Sequence, residues 1–270
     1  MMTINLTDEL NSIYAMLNAD EYPVTHSQIE HFMEHCEELV PYEVATGLRE
    51  SDKPLDLPDF IIDFIIELYE IGIENGDDQA MNDLGAMYYG GDRGCEQSFE
   101  KAVCYYEMAA EKGNRQAREN LGYCYYYGRV GEPDYEKAYH CFIVGALTGQ
   151  LVSLYKIGDM YLNGYYVKKS EINAFWLYMR CLETMTEEAE PFVAGPVYLR
   201  LGKMFLNGIG TEANYKNALV CYQKAEAFLY DMVKNGDYMY KNSLKGAIAG
   251  QAKAREKMAE ELPEQDWQFD

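Results

Sequence analysis

The sequence predicts an all-α fold, a solenoid of antiparallel helix pairs, and two observations predict it. An aliphatic–glycine pair recurs four times, as Leu84-Gly85, Leu121-Gly122, Ile157-Gly158 and Leu201-Gly202, at spacings of 37, 36 and 44 residues. A second pair keeps the same beat, in Lys101-Ala102, Lys137-Ala138, Asn173-Ala174 and Asn217-Ala218. Self-similarity at a period of ~20–50 residues marks a stacked array in which each unit buries its apolar face only against its neighbours.

Each unit opens on a helix, A. Residues at i, i+4 and i+8 make a stripe of a small, a large and an aromatic side chain in most copies: Ala80, Leu84 and Tyr88; Ala117, Leu121 and Tyr125; Ser153, Ile157 and Tyr161; Val197, Leu201 and Phe205. A period of 3.6 residues puts the three on one face. The glycine after the aliphatic sits in mid-helix, where it costs ~1 kcal/mol against alanine, so we expect it to admit a closely packed partner helix. Gly91, Gly128, Gly164 and Gly208 follow three residues after the aromatic, where a left-handed glycine ends a helix. The second helix, B, then carries the Lys-Ala or Asn-Ala pair and further apolar anchors, Tyr105, Tyr106, Ala109 and Ala110, then Phe142 and Ala146, then Trp176, then Tyr222 and Ala225. Gly113 and Gly149 close the first two units.

The third interval is eight residues longer than the second, and Thr184 to Pro191 lies there. Proline does not continue a helix interior, so this segment reads as a loop on one face, of the kind that is sometimes a binding element, with a longer helix or a mere spacer as the alternative. Array ends need caps. Asp59 to Glu74 reads as a buried helix B equivalent, too short and too acidic to span a membrane. Ala252 to Leu262 reads as a lone final helix A before a fraying tail. Ahead of the array, Thr25-His26-Ser27-Gln28 has capping-box spacing, which predicts a helix from His26 to about Leu39, and another is expected over Thr7 to Asn18. The expected organisation is a small acidic helical region over residues 1–57, a capping helix over 58–77, the repeat array over 78–250 and a capping helix with tail over 251–270.

The order Ala-x-x-x-Leu-Gly-x-x-Tyr-x-x-Gly, followed by Lys-Ala-x-x-Tyr-Tyr-x-x-Ala-Ala-x-x-Gly, resembles the Sel1-like repeat, a relative of the tetratricopeptide repeat with a slightly longer unit. The likeness covers residues 78–235. It implies a right-handed superhelix of scaffold residues that holds a protein partner, with helix A lining the concave side. Positions away from the stripe would then pave a groove: Asn82, Ala86 and Tyr89; Glu119, Tyr123 and Tyr126; Tyr155, Asp159 and Leu162; Leu199, Lys203 and Leu206. Asp83, Asn120, Lys156 and Arg200 occupy the adjacent position and grade from acidic to basic, which would orient a bound peptide. Some secreted proteins similar to this family carry a regular cysteine pair in each repeat, and this chain does not.

Charge and composition narrow the functions. Of the net charge of −22, residues 1–79 hold −17 (19 acids against Arg49 and Lys53) and residues 80–270 hold −5 (26 acids against 21 bases). Phosphate backbones and anionic lipids demand the opposite sign, so no nucleic-acid or membrane partner is expected, while a basic protein is complementary. Seven cysteines cannot all pair, and the amino-terminal residues form neither a basic region nor an apolar core, which fits a reducing cytoplasm. One enzyme-like motif is present, His31-Phe32-Met33-Glu34-His35. On a helix His31 and His35 share a face and could reach one zinc ion, with Glu34 as a general base. A catalytic zinc also needs a third protein ligand and an enclosing pocket, so a zinc hydrolase is disfavoured; His31 and His35 are retained only as metal-ligand candidates, and no catalytic residue or cofactor is expected. The leading expectation is a non-catalytic adaptor that binds a protein or peptide on its concave face, through Asn82, Tyr89, Glu119, Tyr123, Tyr126, Tyr155, Lys156, Asp159, Arg200 and Lys203. The alternative is an inhibitor or immunity-type protein that sequesters a basic partner through its acidic amino-terminal region.

Overall fold

Thirteen α-helices account for the regular structure of the described residues, with two short 3₁₀ turns and no strand among them. The computed structural model describes residues 5–35, 40–53, 55–185 and 191–261. The chain divides into two units, residues 1–134 and 135–270.

The first unit holds α1 (Leu6–Met16), α2 (Pro23–Glu34), α3 (Pro41–Glu50), α4 (Asp59–Glu74), α5 (Asp78–Gly90), α6 (Phe99–Glu111) and α7 (Arg115–Tyr126), each packed on the next. Helix α4 buries Ile61, Ile65 and Leu68 completely and turns Asp63, Glu67 and Glu70 outward. The capping box does not form. Helix α2 starts at Pro23, with Thr25 already inside it and buried. Its amino terminus is capped from outside instead: the Asp52 carboxylate accepts from the backbone N–H of Thr25 at 2.7 Å and of Val24 at 3.2 Å, and from the Thr25 hydroxyl at 2.8 Å. Burial opposes the charged form of Asp52, but these donors outweigh it and hold the carboxyl below its usual range. Helix α2 ends at Glu34, earlier than the sequence suggested, and α3 was not foreseen as a separate element.

The second unit holds α8 (Tyr135–Leu147), α9 (Leu151–Asn163), α10 (Glu171–Thr184), α11 (Pro191–Asn207), α12 (Tyr215–Lys234) and α13 (Lys241–Glu260). Residues 186–190 of the additional segment lie outside the described residues. Pro191 is the first residue of α11, where its missing N–H costs nothing, and the extra sequence lengthens the helix: α11 has 17 residues against 13 in α5 and α9, and α12 has 20. Pro196 lies inside α11. The final helix starts at Lys241 and not after Gly250, and Gly250 is an interior residue of it. Buried Leu199, Tyr222, Ala225, Leu229, Ala247 and Ala254 form much of the core that joins α11, α12 and α13.

The same joints recur in both units. After each helix A, the glycine at Gly91, Gly128, Gly164 or Gly208 has a φ of 67°, 60°, 73° or 64°, the left-handed turn that only glycine adopts without strain. The residue that begins helix B then returns its backbone N–H to the carbonyl of the stripe aromatic: Ser98 to Tyr88, Asp134 to Tyr125, Ser170 to Tyr161 and Asn214 to Phe205, at 2.8–2.9 Å. Three of these residues also cap helix B, Ser98, Ser170 and Asn214 each accepting an N–H three residues on. Helix B ends on a second joint, in which Asp77, Asn114, Gln150 and Asp237 bond the carbonyl five residues back.

Candidate partner-binding surface

Neighbouring A helices are stitched side by side by the polar residues that flank the stripe. In the first unit the Asn120 side-chain amide on α7 donates to the Asn82 oxygen on α5 at 3.1 Å, Asn82 donates to Asp83 at 3.0 Å, and the Tyr42 hydroxyl on α3 donates to the same carboxylate at 2.8 Å. Tyr42 is held well above its ordinary range, to about 12, by burial and by that bond. Asn82 and Glu119 are buried.

In the second unit the corresponding residues form a charged cluster around the buried Asp159. Arg200 on α11 grips Asp159 on α9 with two donors, Nε to Oδ1 at 2.5 Å and Nη2 to Oδ2 at 2.7 Å, and its third nitrogen donates to the Pro196 carbonyl at 3.0 Å. The Tyr178 hydroxyl on α10 donates to Asp159 Oδ1 at 2.6 Å. The Arg200 guanidinium and the Lys156 ammonium both lie over the Tyr155 ring, at 5.3 and 5.2 Å. Burial lowers the Lys156 ammonium to about 8, against the opposing pull of Asp159. Burial also works against the Arg200 charge, and Asp159 more than offsets it, so that group is held above its ordinary range.

This geometry revises the groove that the sequence suggested. Asn82, Glu119, Tyr155, Lys156 and Asp159 are buried, and Asn82 and Asp159 are bonded to the next A helix of their own unit, by Asn120 and Arg200. Of the graded residues, Asp83, Asn120 and Arg200 are bonded within the fold and Lys156 is buried. Of the remaining positions, Tyr89, Tyr123 and Tyr126 are half-buried in the first unit, Arg200 is half-buried in the second, and Lys203 is exposed there.

The three first-unit tyrosines belong to a larger aromatic cluster. Tyr89 meets Phe99 edge-on with ring centroids 5.3 Å apart. Arg129 donates Nε–H to the Tyr89 hydroxyl at 3.0 Å, and its guanidinium stands 5.4, 5.2 and 5.5 Å from the rings of Tyr89, Phe99 and Tyr127. Tyr127 stacks on Tyr123 at 6.0 Å and meets Tyr126 edge-on at 5.0 Å. Tyr127 and Arg129 are exposed. Phe99, Tyr127 and Arg129 escaped the sequence reading, although the run Tyr123-x-x-Tyr126-Tyr127-x-Arg129 at a helix end signals a joint-borne patch. Elsewhere in this unit, His31, Glu34 and His35 sit together, all exposed, where α2 ends.

Comparison with known proteins agrees with this architecture. The Sel1 repeat matches residues 78–114, 115–146, 151–178 and 196–227. Among solved structures, a Sel1 repeat protein from Oxalobacter formigenes is 21% identical, with a TM-score of 0.62 over 98% of this chain and 100% of that one. A protective antigen with an SLR fold from uropathogenic Escherichia coli is 20% identical, with a TM-score of 0.61 over 98% of this chain. The chain spans 58% of that antigen's length. No curated protein sequence matches. With its recurring joints, its four matched repeats and its fold in common with solved repeat proteins, the chain belongs to the Sel1-repeat family of α-solenoids.

Proposed function

We propose that the protein is a non-catalytic cytoplasmic scaffold that holds a protein or peptide, and that the contact surface of its first unit is centred on Tyr89, Tyr123 and Tyr126 with Tyr127 and Arg129. Sel1 repeats generally bind other proteins. The observation that carries the reading is the aromatic cluster around Arg129. Tyrosine and arginine are both enriched among the side chains that anchor interfaces, and tyrosine brings large amphipathic area at small entropic cost. Here they are held in place by the helix A end and by one another. The buried thiols of Cys95, Cys181 and Cys221, pushed up by burial, suit a reducing compartment. No helix among the described residues is long and apolar enough to cross a membrane.

A second reading has its own observation. Asp63, Glu67 and Glu70 form an exposed acidic stripe on α4, and a basic partner sequestered there would be steered by charge. Affinity capture from native lysate separates the two. Under the scaffold reading, alanine at Tyr89, Tyr123 and Tyr126 weakens the captured partner by tenfold or more, ~1.4 kcal/mol or above, and neutralising Asp63, Glu67 and Glu70 does little. The reverse pattern supports the acidic face and defeats the aromatic one.

A further inference from the structure

We propose that His31, Glu34 and His35 form a surface site for a late first-row divalent cation, a site independent of the partner-binding reading. The three residues fall at i, i+3 and i+4 at the carboxyl end of α2, and one donor atom from each lies within 4.8 Å of the others. Zinc binds imidazole nitrogen at ~2.0–2.1 Å and carboxylate oxygen at ~2.0–2.2 Å, so the donors of an occupied site must draw somewhat closer. Exposed side chains close that distance by rotation alone.

The second observation concerns the tautomer of His35. Its Nδ1 lies 2.8 Å from the carbonyl oxygen of His31. A carbonyl only accepts, so Nδ1 carries a hydrogen, which leaves Nε2 as the nitrogen that can ligate a metal. A backbone carbonyl behind one ring nitrogen is the arrangement that orients histidine ligands in metal sites. The two imidazoles are already side by side, with centroids 4.5 Å apart. Two imidazoles with one carboxylate suit zinc, nickel or copper and not calcium or magnesium, which take all-oxygen shells. The ion would stand at the surface with its remaining positions turned to solvent, open to water or to a donor from another molecule.

The test uses the full chain, stripped with chelator and kept reduced. It is titrated calorimetrically with Ni²⁺ and with Zn²⁺, and its Co²⁺ complex is examined by visible absorption. We expect saturation at one equivalent, a loss of affinity of ~10-fold or more in H31N/H35N, a smaller loss in E34Q, and a cobalt spectrum without thiolate charge transfer. All three side chains are exposed, so the variants keep the fold, which circular dichroism verifies. Absence of saturable binding, binding unchanged in H31N/H35N, or a thiolate signature that places the ion on cysteine would each overturn the site.

Discussion

Gly158→Ala puts one methyl group where helix α9 touches α10. A Cβ at this position would stand 2.7 Å from Cε1 of Tyr178 and 3.1 Å from Cδ1 and Cζ, against ordinary carbon contacts of ~3.5–4.0 Å. The ring must therefore retreat by about 1 Å. It has nowhere to go, because Tyr178 is fully buried and its hydroxyl is tied to Asp159, which Arg200 holds from the other side. Overpacking of this kind costs ~1–3 kcal/mol, and displacing a hydroxyl from a carboxylate adds ~1.5–3 kcal/mol if that bond breaks. Alanine recovers ~1 kcal/mol of helix propensity, leaving a net destabilisation of roughly 0–2 kcal/mol if the hydroxyl keeps its bond and roughly 1.5–5 kcal/mol if the bond breaks. Gly246 supplies the control, since no atom lies within 4 Å of a Cβ built there in α13. Gly246→Ala should stabilise by ~0.5–1 kcal/mol. Urea unfolding followed by far-ultraviolet circular dichroism reads both. If Gly158→Ala stabilises as Gly246→Ala does, the helix A glycines are not there for close packing, and that reasoning is wrong.

Arg200→Met alone should cost ~3–5 kcal/mol, because it strands the Asp159 carboxylate in the interior, whereas Arg200→Met with Asp159→Leu should recover most of the loss; a double variant as unstable as the single one would contradict the pairing. Lys156 gives a pH signature. Its folded value of about 8 lies below the usual 10.5, so the folded protein releases this proton first and deprotonation favours folding. Stability relative to Lys156→Met should rise as pH passes from about 8 towards 10.5, and equal slopes in the two proteins would show that the ammonium is not held in a burying environment.

The repeat was legible because it is written in residues with few alternatives. The left-handed glycines and the small residues under helix B aromatics each have one physical use at their positions, and Gly85, Gly158 and Gly202 do meet Tyr106, Tyr178 and Tyr222. Polar residues beside the stripe were misread because burial there depends on the next repeat. Asp159 and Arg200 are 41 residues apart, and nothing local to either announces the partner. The same holds for Asp52, which caps α2 across 27 residues and replaces a capping box that spacing alone made attractive. The final helix begins before Ala252 because Gly250 is not a terminus: it lies inside α13, where a Cβ would meet the Tyr222 ring. Phe99, Tyr127 and Arg129 lie at the joints and not on the stripe, outside the positions a helix-face argument inspects.

We propose that an aromatic surface, and not acidity, holds the partner. The most direct measurement is the dissociation constant of the captured partner at low and at moderate ionic strength, for the native protein and for the variant with alanine at Tyr89, Tyr123 and Tyr126. A Debye length that shortens to ~8 Å at physiological salt weakens exposed charge attraction and leaves aromatic packing nearly untouched. The account predicts a constant that changes little with salt and rises tenfold or more in the variant; a partner lost at moderate salt yet indifferent to the three tyrosines would contradict it.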